Sequence, residues 1–244
     1  MGRARIGAIL PHAPLLLEDV AGGAVAGGVE DVRGAARAVA SELAGTVVVI
    51  SPHATRSGVY ISRSGDLAGF GVRGASVTPE VDDELARSIA RRWGRPLSDQ
   101  PLDHGVVVPL LLGPLPRGVV GIGLAAGAAE IEDEARSLAA ALVDLPGTVS
   151  VVASVNTGGG VTASGPLTEL PRAVEAERCL AAALESDVAT LDEAARVLAA
   201  DFGSCGLGPL LVLSHLFAGS GATIHAHAWP FGVGYLVASL RVPA

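Results

Sequence analysis

The sequence predicts a single α/β domain of three layers, with a mostly parallel central sheet between two sets of helices. Three observations predict it. Short β-branched runs alternate with helix-period segments from one end of the chain to the other. Half of the 244 residues are hydrophobic and only 17% are charged, which excludes disorder and favours elements buried on more than one side. No stretch reads as a flexible tether, so residues 1–244 are expected to form one domain.

The elements follow in order. Arg5 to Leu10 reads as the first strand. A helix then carries Val32, Ala36, Val39 and Leu43 at spacings that line one face, and stops at Gly45 before the strand TVVVIS. A second amphipathic helix is expected to open at Thr78 as N-cap, with Pro79 and Glu80 in its first turn and Val81, Leu85, Ile89 and Trp93 as its stripe. Strand GVVGIGLA, a helix from Ala129 to Leu142 and strand TVSVVAS repeat the alternation. Helices near 166–185 and 187–200 follow, then an apolar helix after Gly208 and Pro209. Two strands, around TIHAHA and GVGYLVASL, lie close enough in sequence to pair as a hairpin at Trp229 to Gly232.

Charge narrows the partners. Twenty-five acids face 17 bases, all arginine, for a net charge of −8, which disfavours nucleic acid and acidic lipid. The longest apolar runs, such as Val106 to Gly113, fall short of the roughly 20 residues a membrane-spanning helix requires. The N-terminus MGRARIGAIL carries two arginines, but Pro11, His12 and Pro14 interrupt the apolar run and no small-residue cleavage site follows it, so a cytoplasmic protein is expected. Cys179 and Cys205 are too few for a disulfide framework and read as reduced thiols.

Chemistry concentrates on histidine. Ile9-Leu10-Pro11-His12-Ala13 is echoed by Ile50-Ser51-Pro52-His53-Ala54, so each copy puts an imidazole just past the carboxyl end of a buried strand. Ligands of open parallel sheets bind at that edge, where two imidazoles can converge on one ion. In Asp103-His104-Gly105 the aspartate can fix one ring nitrogen and free the other as acid, base or ligand; a turn histidine without function has the same signature. His225 and His227, two apart on a strand, share a face, which can chelate a metal or simply be polar. Cys205, before Gly206-Leu207-Gly208-Pro209, can sit near a helix N-terminus as a more acidic thiol, or be a small buried hydrophobe. Gly158 to Gly160 lacks the residues of a phosphate-binding loop and reads as mobile, and His215 receives no role.

Taken in order, PHAP at 11–14, SPHA at 51–54, DHGVVVPL at 103–110, CGLGP at 205–209 and PFGVGY at 230–235 resemble the catalytic subunit of class III extradiol dioxygenases and its Memo-like relatives. The resemblance implies a LigB-like fold, metal ligation by His12 and His53, and an active-site role for His104. It also implies non-haem Fe(II), a small phenolic or related substrate, and association into homo-oligomers. Two positions depart from the pattern: Gly159 stands where the family has an acid/base histidine, and Ala228 where it has a carboxylate ligand. Cys205, or His227 in its place, is the expected third ligand, and a thiolate would favour zinc or copper over Fe(II). The expected function is a diverged metal-dependent oxidoreductase; the alternative is a Memo-like member that holds a metal or small ligand without catalysis.

Overall fold

Alternate residues of the buried strands face opposite ways, and each row finds its own helical layer. The computed structural model describes residues 6–21, 28–125, 130–162 and 168–241. In β1 (Ile6–Leu10), Ile9 enters one core while Ala8 and Leu10 enter the other. The same split recurs in β2 (Thr46–Ser51), whose Val48 and Ile50 oppose Val47 and Val49. On the first face pack α3 (Asp83–Trp93), α5 (Ile131–Leu142), α6 (Ala173–Ser186), α7 (Asp192–Phe202) and α8 (Leu207–Leu216). On the second pack α2 (Val29–Glu42) and α4 (His104–Leu111), with the short α1 (Glu18–Ala21) beside them. This is a single-domain α/β protein, and no described helix is long and apolar enough to cross a membrane.

The sheet is mixed rather than mostly parallel. Nine strands form it, and its centre is the parallel run β1, β8 (Val149–Ser154), β2 and β7 (Gly118–Gly123). Beyond β7, the short link after β2 returns β3 (Gly58–Tyr60) antiparallel to β7, and β6 (Leu97–Ser98) lies parallel to β3. On the other side, β10 (Ala222–Ala228) and β11 (Val233–Arg241) form the expected hairpin, whose tight turn dictates antiparallel pairing, and β11 also runs antiparallel to β1. A small separate hairpin, β4 (Gly65–Asp66) with β5 (Ser76–Val77), packs on the second face.

Several boundaries move for local reasons. The N-cap of α3 is Asp82, not Thr78. Residues 80 and 81 are drawn onto the sheet, where Val119 N donates to Glu80 O and Val81 bridges Val119, while Asp82 Oδ1 accepts from Leu85 N. Helix α6 begins only after Pro171, whose ring disfavours helix at the residue before it. Asp187 instead caps a 3-10 turn at Val188–Thr190 before α7 starts. Helix α8 starts at Leu207, ahead of Gly208 and Pro209, because its first turn has no need of the N–H that proline lacks. Residues 5, 129 and 166–167 of the expected elements lie outside the described residues.

The Gly158–Gly160 run is not a mobile loop. Gly158–Gly159 is the buried strand β9, paired antiparallel with Val233 and Gly234 of β11. The reason is a fully buried carboxylate. Glu177 of α6 accepts from Thr157 Oγ1 at 2.8 Å and lies 2.9 Å from His227 Nε2. A Cβ on Gly234 would stand 2.2 Å from Glu177 Oε1, and one on Gly158 would stand 3.0 Å from it. The glycines make room for the acid, and the hydrogen bonds compensate its loss of water. Sequence reading missed Glu177, although the signal was present: it interrupts the apolar stripe Ala173, Ala176, Leu180 and Leu184.

Gly234→Ala is therefore expected to destabilise the fold by about 1–3 kcal/mol through overpacking. Gly34→Ala, on the exposed face of α2 with nothing within 4 Å of the added methyl, should stabilise it by about 0.5–1 kcal/mol. Urea denaturation of the two variants checks both signs.

Candidate metal centre

His12 and His53 follow the carboxyl ends of β1 and β2, which are separated by the single strand β8. The last residue of β8 does the positioning. Ser154 Oγ lies 2.8 Å from His12 Nδ1, so the other ring nitrogen points away from the sheet. That nitrogen, His12 Nε2, is 3.0 Å from His53 Nε2. The backbone N–H of His12 also donates to Asn156 Oδ1 at 3.3 Å, which fixes the turn after β1.

His104 comes from the first turn of α4 and completes the group. Ligand nitrogens of His12, His53 and His104 all lie within 4.8 Å of one another. The His53 and His104 rings stack with centroids 4.1 Å apart, and His12 meets both edge-on. His12 is 1% exposed, while the other two are half-buried, so the group closes toward the sheet and opens outward.

Asp103 does not hold His104, contrary to the reading of Asp103-His104-Gly105. Its carboxylate is saturated elsewhere. Oδ1 accepts from Gly105 N, Val106 N and Ser51 Oγ, the last at 2.6 Å, and Oδ2 accepts from Tyr60 OH at 2.8 Å. The aspartate is thus an N-cap that ties α4 to β2 and β3. Gly105 is required by the same junction, since a Cβ there would stand 2.2 Å from Ser51 Oγ.

Electrostatics keep the imidazoles neutral. Burial lowers His12 well below the ordinary histidine value, and the neighbouring His53 and His104 lower it further. His53 falls to about 4, mainly by burial and then by His104, with Asp103 opposing. His104 is lowered by burial and partly restored by Asp103. A neutral imidazole offers its lone pair, so the donor set fits a divalent ion, and a 3.0 Å nitrogen separation lets two bonds near roughly 2 Å meet at one centre. A thiol is close by. Cys205 Sγ lies 3.4 Å from His12 Nε2, beside the three-nitrogen group rather than within it. Burial pushes that thiol up, opposite to the acidification expected from a helix N-terminus.

The remaining sequence candidates separate from this centre. A bulge between Ile224 and Ala226 shifts the register of β10, so Ile224 packs on one core and Ala226 on the other. His225 and His227 consequently do not act as a pair. His225 Nε2 lies 2.8 Å from Ser239 Oγ, and His227 Nε2 lies 2.9 Å from Glu177 Oε2, outside the group of His12, His53 and His104. His215 is exposed on α8. Gly159 is fixed in β9, and Ala228 pairs with Tyr235 and contributes a methyl to the second core. Sequence reading missed Ser154, Ser51 and Tyr60 as positioning residues, and Phe70, whose ring centroid is 4.7 Å from that of His104.

No family model matches the chain, and no curated protein matches it. Among solved structures it is similar to the uncharacterized protein JW3007 from Escherichia coli K12, with a TM-score of 0.60 at 16% identity, covering 98% of this chain and 99% of that one. At that identity the likeness establishes a shared fold.

The depressed histidines give the stability a pH signature. A folded-state value below the unfolded one means that the unfolded chain takes up protons first as pH falls. Stability from keeping His53 neutral is therefore complete above about 6.5 and is lost as pH falls toward about 4. Thermal unfolding between pH 7 and 4 should show a declining midpoint, and a His53→Gln variant should show a shallower decline. An equal decline in that variant would remove His53 from the account.

Proposed function

We propose that the chain is a diverged metal-dependent enzyme of the extradiol dioxygenase type, in which His12, His53 and His104 hold one divalent ion and a small phenolic or related substrate binds beside them. The observation that carries this reading is the convergence of three neutral imidazoles, their nitrogens within 4.8 Å, at the carboxyl edge of a parallel strand run. The ordered motifs from Pro11 to Tyr235 supply the reaction class by resemblance. The LigB-like assignment of the fold belongs to this proposal and rests on the same motifs.

In this reading His104 is a third ligand rather than an acid/base, because its nitrogen joins the other two and Asp103 is committed to α4. A set of three imidazoles suits zinc, copper or iron; Fe(II) follows from the resemblance, and ligation by Cys205 would favour zinc or copper. Such an ion supplies Lewis acidity, lowering the proton affinity of a coordinated hydroxyl. The chain's own residues do the rest. Ser154 orients His12, burial keeps His12 dry, and the open side at His53 and His104 admits the substrate.

One observation favours a second reading, a member that binds metal or ligand without turnover. Among the described residues no carboxylate joins the three imidazoles, and Gly159 and Ala228 offer no acid/base side chain. The two readings part on turnover.

Anaerobically purified protein reconstituted with Fe(II) or Zn(II) should bind one equivalent, and saturation at about 100 times Kd should add about 2.7 kcal/mol of stability. His12→Ala, His53→Ala and His104→Ala should each abolish both effects. Retention of full metal by His104→Ala would return His104 to an acid/base role. Cleavage of protocatechuate or catechol should be slow or absent, since the groups at Gly159 and Ala228 are missing. Oxygen uptake across a panel of other phenols separates the readings: consumption by the loaded protein supports the enzyme, and none with any phenol supports the binding protein.

A further inference from the structure

Phe70 is an expensive residue to leave in water. The chain has only four phenylalanines among 244 residues, and this one is 54% exposed. It is also the ring set against the candidate metal centre, tilted 60° to His104 with centroids 4.7 Å apart. An isolated exposed phenylalanine on a surface needs no explanation. One held against a member of a three-histidine group does.

The segment that carries it is rigidly built. Phe70 ends a 3-10 turn, Ala68–Phe70, on the connection between β4 and β5. Inside the turn, Phe70 N donates to Leu67 O at 2.9 Å and Ala68 N to Asp66 Oδ1 at 2.8 Å. Leu67 N donates to Ala75 O across the connection, and the Leu67 side chain is fully buried. Beneath it Gly65 lies so close to α4 that a Cβ would stand 2.5 Å from Val107. The hairpin is thus anchored to the helix that supplies His104, and the aromatic ring is presented at a fixed place with more than half its surface free. A preorganised apolar ring beside ligating nitrogens is what a planar ligand needs, because no ordering of the ring opposes binding.

We infer that Phe70 is a specificity-determining residue of this site: it stacks against the ring of an aromatic ligand held at His12, His53 and His104, and so selects ligands that carry a planar aromatic group next to their metal-binding atoms. The inference rests on the metal reading above and adds to it the ligand wall and its preference.

Two chelators with identical donor atoms test it, benzohydroxamate with a phenyl ring and acetohydroxamate without one. Their binding to the Co(II)-loaded protein is read from the visible spectrum, alongside the Co(II) affinity itself. The wild type and Phe70→Tyr should prefer benzohydroxamate by roughly tenfold, the scale of one aromatic contact plus its buried area. Phe70→Leu keeps apolar bulk but loses the ring, so its preference should fall several-fold while Co(II) affinity stays at the wild-type value. An unchanged preference in Phe70→Leu would overturn the inference and leave the metal centre standing. A parallel loss of Co(II) affinity would also overturn it, by making Phe70 a support for His104. Failure of the wild type to bind Co(II) would sink the metal reading and this inference with it.

Discussion

The carboxylate of Asp103 is the constraint on which the site depends. It sits at the start of α4, accepts two backbone N–H groups of that helix, and takes hydroxyl hydrogen bonds from Ser51 and Tyr60. Ser51 is the last residue of β2, and its Oγ also accepts from the backbone N–H of His53. One side chain thereby fixes the helix that carries His104 relative to the strand that delivers His53. A charged acceptor is well suited to this, since charge-assisted hydrogen bonds are shorter and stronger than neutral ones. Gly105 follows because the contact leaves no room for a Cβ.

A second polar junction, on the other strand, completes the arrangement. The sheet order puts β8 between β1 and β2, so Ser154 at its end reaches His12 from the side. The three imidazoles then crowd together where burial penalises protonation of each, with His53 and His104 adding to the penalty at His12 and His104 adding to it at His53. Three nitrogens thus lie within 4.8 Å of one another, and the Phe70 ring stands against the His104 member of the group.

Elsewhere the molecule buries an acidic side chain for the architecture. Glu177 is enclosed by Thr157, His227 and the glycines of β9 and β11. That enclosure explains features with no meaning in isolation: a glycine run that forms a strand, and a histidine held by a carboxylate on a neighbouring element. The same backbone passes through Asn156, whose Oδ1 receives the His12 N–H and whose carbonyl oxygen receives Ser204 Oγ–H. The two polar regions are thus neighbours along one strand exit, one organised around a carboxylate and the other around imidazoles.

Local pattern was enough for much of this. The alternation in β1, β2, β7 and β8, the stripes of α2, α3 and α5, and the hairpin at Trp229 to Gly232 are set by side-chain period and turn chemistry, which depend on near neighbours in sequence. The echo at His12 and His53 was legible for the same reason, since proline ends a strand wherever it stands. What the sequence alone left open was decided by partners far along the chain. The antiparallel edges depend on which strands meet. The bulge that splits His225 from His227 depends on the pairing of β10 with β11, and the engagement of Glu177 depends on how α6 lands on the sheet. His104 stands beside His12 and His53 without a hydrogen bond to the aspartate next to it, because Ser51 and Tyr60, more than 40 residues away, claim that carboxylate. Periodicity fixes the face on which a residue lies; only packing fixes what stands opposite, and a donor set exists only once those opposites have met.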